Sequence, residues 1–408
     1  MFEVGLSPLK LDPQSGLSRA VPRPQHLRQP GYEQEFDAGT ILYDLFWSPG
    51  GRDVVGIGPP LANLAEALVP MLRRGFRGGI FSRLEQRNLE RCWEVWIRRC
   101  RARPTFPAGI FKQTELTIQP NHQEIFRGKK VALTKSRDNQ LVWIRDWAYF
   151  LAKAHGCDAV LLYDNASTNT SPAEIRQTIA SVPGIDTAVV VSWPYKFGPQ
   201  GIDRYTWDSD YCQHGILEHA RHRFLAEARA VLQIDIDELP ITEAGESIFD
   251  LTAGSAVGYL QFDGRWIETA TDASSGPGLR RHRDFRHYDA VQEATPTKYI
   301  WGKWAVVPGS CPRQSQWLVH KISGIRRDRQ ASARVCLRHF KAINTNWMFD
   351  RWRPEPIDPA RHRIDEELVG WLAIFDTPAG DIVPGQDHLQ SSLPGGTNAP
   401  GPSRQSAR

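Results

Sequence analysis

The chain has little of what marks a secreted, membrane-spanning or redox protein. Its 408 residues hold only 6 cysteines, Cys92, Cys100, Cys157, Cys212, Cys311 and Cys336. No two of them form a C-x-x-C pair or a disulfide-like spacing, so a reducing compartment is expected. Met1-Phe2-Glu3-Val4 carries neither a basic segment nor an apolar one after it, so no secretory signal is expected. No apolar run approaches the length of a bilayer-crossing helix, about 20 residues. A cytoplasmic protein is the expectation, and a peripheral association with a membrane is compatible with it. The formal net charge of +4 is small for this length. That argues against a nucleic-acid partner while allowing an anionic ligand such as a nucleotide. No Gly-x-Gly-x-x-Gly follows a strand-like run, and there is no P-loop, which weighs against dinucleotide enzymes and P-loop NTPases.

What is present describes a soluble globular protein. Apolar residues make up 41% and charged ones 24%, enough for two or three domains with a sizeable core. Residues 1–35 are rich in Pro, Gln and Arg without period and suggest an irregular N-terminal arm. Residues 36–125 suggest an accessory region containing strands. Ile41 to Trp47 and Val54 to Ile57 flank the turn Ser48-Pro49-Gly50-Gly51, and Leu61, Leu64, Leu68 and Leu72 have helical spacing. Asn88 to Arg101 sets Trp93 and Trp96 among arginines and suits a packed helix with a solvated face better than an anion-binding surface. Residues 351–385 suggest a C-terminal extension, and residues 386–408 a disordered tail rich in Pro, Gly and Ser.

Between 126 and 350 the pattern is that of an α/β domain. Val131 to Thr134 is a short strand, and Leu141, Ile144, Trp147, Leu151 and Ala154 repeat as one face of a helix ending at Gly156. Ala159 to Tyr163 is a near-continuous apolar strand, as a sheet covered on both faces requires. Ser171-Pro172-Ala173-Glu174 opens a helix with a capping box. Thr187 to Val191 is a strand, Tyr211 to Arg229 a long helix, and Val231 to Ile234 a strand that Pro240 is expected to stop. This alternation argues for parallel strands flanked by helices.

Three strand ends run into polar loops, Thr134–Asn139, Asp164–Thr168 and Asp235–Glu238. In parallel strands these loops share one edge, where open α/β sheets bind ligands. In an extended segment Asp235 and Asp237 point to one side, an arrangement able to hold a hard divalent cation with positions left for phosphate oxygens.

The ordered set of motifs resembles the GT-A glycosyltransferases, more narrowly the family 2 and family 92 type (relatives of domain of unknown function 23). It comprises Lys135-Ser136-Arg137-Asp138-Asn139, Trp143-Ile144-Arg145-Asp146-Trp147, Tyr163-Asp164-Asn165-x-Ser167-Thr168 and Asp235-Ile236-Asp237-Glu238. Lys303-Trp304-Ala305-Val306-Val307-Pro308 and Arg338-His339-Phe340-Lys341 extend it, so that the resemblance covers about residues 128–345. The family's usual Lys-Asn-Glu at the first loop is replaced here by Lys135-Ser136-Arg137-Asp138-Asn139. The resemblance implies a GT-A, Rossmann-like mixed sheet and a metal-dependent transfer of sugar from a nucleotide-sugar donor to a glycan or other acceptor hydroxyl, with inversion. It implies nucleotide contacts from Thr134, Lys135, Asp164, Asn165 and Lys303. It also implies Mn²⁺ or Mg²⁺ held by Asp235 and Asp237, with His339 touching the metal or phosphate.

An inverting reaction needs a general base. Asp263, Glu268 and Asp284 are available, and Asp263 is favoured because it follows the strand Gly258 to Phe262. Each motif also has a plainer reading. Asp164 suits a loop cap, His339 a core histidine alternating with Val335 and Leu337, His320 a structural residue, Lys303 a strand residue with its head in water, and Trp266 a core ring. At the level of the whole protein, the alternatives are a catalytically silent glycan- or nucleotide-binding module of the same fold, and a metal-dependent phosphatase or nucleotidyltransferase.

Overall fold

In a computed structural model of the chain, residues 4–76, 83–100, 103–199, 208–271, 280–293, 300–345 and 355–376 are described. The N-terminal part builds a four-stranded antiparallel sheet from Asp44–Trp47 (β1), Val54–Gly58 (β2), Arg83–Leu89 (β3) and Cys92–Arg98 (β4), ordered β1-β2-β4-β3. The helix Ala65–Gly75 (α1) covers one face, with Leu68 and Leu72 packed among Trp93, Val95 and Ile97. Asn88 to Arg101, expected as a helix, is therefore mostly the second half of a hairpin. Trp93, Val95 and Ile97 go to one core and Cys92 and Trp96 to another, a period of two that the interspersed arginines hide. The arm 1–35 is tied down over its described part. Leu9–Lys10 pairs with Thr40–Leu42, and the buried Arg19 guanidinium donates to the carbonyls of Asp37, Thr40 and Pro60.

The main sheet has eight strands: Lys130–Ser136 (β5), Ala159–Asp164 (β6), Thr187–Ser192 (β7), Ala230–Gln233 (β8), Glu238–Thr242 (β9), Tyr259–Ile267 (β10), Ile300–Val306 (β11) and Val335–Phe340 (β12). Their order is β9-β12-β10-β11-β8-β5-β6-β7. The strands β8, β5, β6 and β7 are parallel, as the alternation of elements predicts. β11 lies antiparallel between β8 and β10, β10 runs parallel to β12, and β9 closes the edge antiparallel to β12. The architecture is thus mixed α/β, a large mixed sheet flanked by helices.

Side chains of each strand alternate between two cores. Ala132, Val160, Leu162 and Leu232 meet the helices Leu141–His155 (α2) and Pro172–Ala180 (α3). Val131, Leu133, Leu161, Tyr163 and Val231 meet Cys212, Ile216, Leu217 and Ala220 of the helix Tyr211–Ala220 (α4). Gly156 takes the left-handed position after α2, and Ser171 with Glu174 forms the capping box of α3, both as the residues predict. α4 is shorter than expected, passing at Arg221–Leu225 into a π-helical turn. Pro240 does not stop a strand. It sits inside β9, whose outer side faces no neighbouring strand among the described residues, so no ladder donor is needed there.

The two sheets join through α4. The ring of Tyr43 lies so close to Gly215 that a Cβ there would meet it at 2.5 Å. The carboxylate of Asp44, just inside β1, is fully buried between His219 Nε2 at 2.9 Å and Arg223 Nη1 at 2.7 Å, and accepts from the Ser7 N–H. Among the described residues, no helix is long and apolar enough to cross a membrane. The expected tail 386–408 and part of the extension 351–385 lie outside the described residues.

Candidate functional site

Register places the polar loops together. Ser136 of β5 pairs with Asp164 of β6, and Gln233 of β8 pairs with Leu133 of β5, so all three loops leave the same carboxyl edge. A cleft of about 190 Å³ opens there. Lys135, Ser136, Arg137 and Asn139 line it from the first loop, Asn165 from the second, and Asp235, Ile236 and Asp237 from the third. Phe197, Cys212 and Ile216 give it an apolar side.

The first two loops lock each other. Asp138, at φ +56°, donates its N–H to Ser167 Oγ at 2.8 Å, and its carboxylate accepts from the N–H groups of Thr168 and Asn169. A left-handed aspartate is tolerated because its short side chain bonds locally. Asn165 is 4% exposed, and its Nδ2 donates to the carbonyls of Trp193 and Tyr195, each at 2.8 Å. Its Oδ1 is buried with no partner among the described residues. Asp164 does not line the cleft. Its carboxylate lies 3.3 Å from the Ser167 N–H, and burial raises its pKa, so in this structure it caps the turn while the next residue faces the cleft. Thr134 is likewise buried, with Oγ1 on the Lys135 carbonyl, and borders a void of about 10 Å³ with Gln233.

The acid segment is a turn, not an extended strand end. Glu238 N–H donates to the Asp235 carbonyl at 3.2 Å, and Glu238 Oε2 accepts from Asp235 N–H at 2.7 Å. The alternation expected of a strand is therefore lost, and the two aspartates go to different partners. Asp235 takes Lys135 Nζ at 2.9 Å and Lys303 Nζ at 2.5 Å. Desolvation works to raise the Asp235 pKa, but the two ammonium groups outweigh it and hold the carboxyl well below its usual range. Asp237 Oδ2 lies 2.9 Å from His339 Nε2. Glu238 is buried between Lys303, at 3.2 Å, and His339 Nδ1, at 3.5 Å, and burial raises its pKa. The ring of Trp266 stacks on His339 at 4.1 Å. Below the turn, His282 Nε2 donates to the Ile236 carbonyl at 2.9 Å. The neighbouring Arg281 grips Asp146 of α2 with two hydrogen bonds.

The cation that the resemblance implies fits part of this arrangement. A separation of 2.9 Å between Asp237 Oδ2 and His339 Nε2 is a hydrogen-bond length. It is also about the spacing of adjacent ligands around an ion at 2.0–2.2 Å from each. A magnesium-type ion asks for only one or two carboxylates when phosphates complete its shell. Asp235 fits less well, because both its oxygens are already held by ammonium groups. Asp235, Asp237 and His339 do not converge as three ligand atoms. Among the described residues, the group whose ligand atoms lie within 4.8 Å of one another is Glu94, Glu218 and His222. Those oxygens already accept from Arg87, Trp96, Arg221 and the Trp317 N–H. The group bridges β4 and α4 as an ion-pair staple, away from the cleft.

No known protein family matches the chain, and no curated protein is recognisably similar to it.

The three candidate bases separate clearly. Glu268 is buried and takes Lys341 Nζ at 2.6 Å on both oxygens. Asp284 caps its own turn through the Arg281 N–H at 2.7 Å. Asp263 is exposed and sits at a bulge of β10, between Phe262, which pairs with Lys303, and Gly264. Bulges re-aim side chains beside sites, yet Asp263 is not part of the cleft wall. His320 Nδ1 bonds the Gly302 carbonyl at 3.1 Å, and burial, helped by Lys303, lowers its pKa to about 4. Sequence reasoning missed Arg137, Phe197, Cys212, Ile216 and Ile343 to Thr345 as wall residues. Arg137 was visible inside the first polar loop, whereas nothing local distinguishes Phe197 or Ile343.

Proposed function

We propose that the chain is a glycosyltransferase of GT-A type, moving a sugar from a nucleotide-sugar donor to an acceptor hydroxyl. The observation that supports it most is the meeting, in one cleft at the carboxyl edge of parallel strands, of Lys135 and Arg137, the amide of Asn165, and Asp235 with Asp237. Basic groups suit the diphosphate, and the apolar side formed by Phe197, Cys212 and Ile216 suits a base or sugar face. Asp237 and His339 are the residues that would hold Mn²⁺ or Mg²⁺. Such an ion would supply charge to offset the departing diphosphate. The acceptor oxygen forms a bond to the anomeric carbon as the carbon–phosphate-oxygen bond breaks, and the acceptor proton passes to a carboxylate. Asp263 is our choice for that base, because Glu268 is taken by Lys341 and Asp284 by the Arg281 N–H, whereas the Asp263 carboxylate meets no hydrogen-bond partner among the described residues. A thermal-shift panel of UDP, GDP, CDP and ADP, with and without Mn²⁺, tests the proposal, since a ligand of the native state raises the melting temperature. Stabilisation by one diphosphate beyond the other three is expected. A panel without any stabilisation would count against a nucleotide site.

A further inference from the structure

Within the acid turn, the two aspartates are held in opposite ways. Asp235 has Lys135 Nζ on Oδ1 at 2.9 Å and Lys303 Nζ on Oδ2 at 2.5 Å. Asp237 has the histidine. Lys303 is 2% exposed and also faces the buried Glu238. It has no route to solvent, so a cation on Asp235 would be forced against a fixed ammonium group. Lys135 differs, because its side chain is 20% exposed and lines the cleft. An ammonium group carries three donors. One N–H of Lys135 meets Asp235, and among the described residues the other two have no partner and can turn to a ligand. Arg137, two residues further along, lines the same cleft.

We propose that Asp235 is a positioning residue rather than a cation ligand, holding Lys135 so that Lys135 and Arg137 grip the diphosphate. The cation, where one is bound, belongs to Asp237 and His339. This rests on the nucleotide-sugar reading of the cleft. Lys303 fixes Asp235 from the protein side, and Asp235 fixes Lys135 on the cleft side, so the phosphate contact is oriented before the ligand arrives. Preorganisation of this kind lowers the ordering cost of binding.

The test is calorimetric titration of the full chain with Mn²⁺ alone, and then with UDP, GDP, CDP and ADP at saturating Mn²⁺. The variants are Lys135→Met, Lys135→Arg, Asp235→Asn, Asp237→Asn and the double variant Lys135→Met/Asp235→Asn. Lys135→Met is expected to weaken the diphosphate that binds the parent by about 10–100-fold, the range for a lost charged hydrogen bond. Lys135→Arg should recover most of that loss. Asp235→Asn should weaken the diphosphate comparably, and adding Lys135→Met to it should change little more, because the two act as one unit. For Mn²⁺ alone, Asp235→Asn should weaken binding far less than Asp237→Asn, because it unmasks nearby ammonium charge but removes no ligand, while Asp237→Asn loses binding. Loss of Mn²⁺ binding in Asp235→Asn as severe as in Asp237→Asn would overturn the proposal. So would additive effects of Asp235→Asn and Lys135→Met, or a Lys135→Met chain that binds the diphosphate like the parent. If Asp235→Asn fails to fold, the Lys135 variants decide alone, with undiminished binding in Lys135→Met refuting the grip. A parent chain that binds no diphosphate, with or without Mn²⁺, removes the nucleotide reading itself, and that outcome is distinct from the others.

Discussion

Replacing Lys303 by Met measures how strongly the acid turn depends on its buried cation. Met keeps the length of the side chain and removes the charge. Lys303 and Glu238 are 2% and 1% exposed, so solvent screens their pairing little. Asp235 is more open and keeps Lys135 at 2.9 Å, so the loss falls mainly on Glu238. Breaking a buried pair by deleting one partner costs about 3–5 kcal/mol. Glu238, whose pKa burial already raises, can trim that cost by taking a proton. A carboxyl with a raised folded-state pKa binds more protons folded than unfolded, so its contribution is present at low pH and is lost as pH rises through the folded pKa. The parent-to-variant gap in unfolding free energy should therefore narrow as the buffer is made more acidic. The double variant Lys303→Met/Glu238→Gln should regain most of the stability at neutral pH, because a neutral amide needs no counter-charge. Urea unfolding followed by tryptophan fluorescence across a pH series reads all three. A Lys303→Met chain within about 0.5 kcal/mol of the parent, the range of an inconsequential surface change, would refute the reasoning, as would a gap that widens on acidification.

On the proposed glycosyltransferase reading, Asp237→Asn should abolish Mn²⁺-dependent transfer with little change in melting temperature, because it would remove the charged member of the proposed cation pair while Asn keeps the side chain's size beside His339; a variant with parental turnover would discard Asp237 as a ligand. If Asp263 is the proposed base, Asp263→Asn should keep diphosphate affinity within about twofold and remove turnover, because a general base acts on the acceptor proton alone. Weakened nucleotide binding in that variant would place Asp263 elsewhere in the mechanism. His222 has its pKa raised despite burial, by Glu218 and Glu94, so its stabilising share is full at low pH and is lost as pH rises through the folded-state pKa. His222→Gln should flatten the fall of the urea midpoint from neutral to alkaline pH, and an unchanged slope would mean the staple does not titrate there.

What could be foreseen from the residues was whatever has a local signature. The helix at Leu141–His155 carries its periodicity and its terminal Gly156 on its face. The strand Ala159–Asp164 shows as an apolar run because both faces of its sheet are covered. The gathering of the loops at 135, 165 and 235 followed from the alternation of strands and helices, which makes the strands parallel and puts their ends at one edge. What stayed hidden was set by contacts far apart in the chain. Lys303 reaches Asp235 across 68 residues, and only the insertion of an antiparallel β11 beside β8 brings it there. Pro240 looked like a terminator because nothing nearby tells an edge strand from a central one. The turn at Asp235 depends on Glu238 folding back to its own backbone, which composition does not announce. The hairpin Arg83–Arg98 was obscured by charges that pair across it and beyond, Arg98 with Glu85 and Asp53.

The burial of Asp44 beside His219 and Arg223 bears on how this chain can be dissected in the laboratory. A truncation beginning near residue 126 would retain every loop of the cleft. It would also strip Arg223 of the carboxylate that neutralises it, uncover the Tyr43 niche against Gly215, and bare the apolar side of β2 and β4 that α4 occupies. The same α4 supplies Cys212 and Ile216 to the cleft wall. Such a fragment would begin folding with a buried cation unmatched and one wall of its cleft unsupported. The first 125 residues thus share a buried ion pair and a helix contact with the part that carries the cleft, and libraries built to alter the cleft should carry them whole.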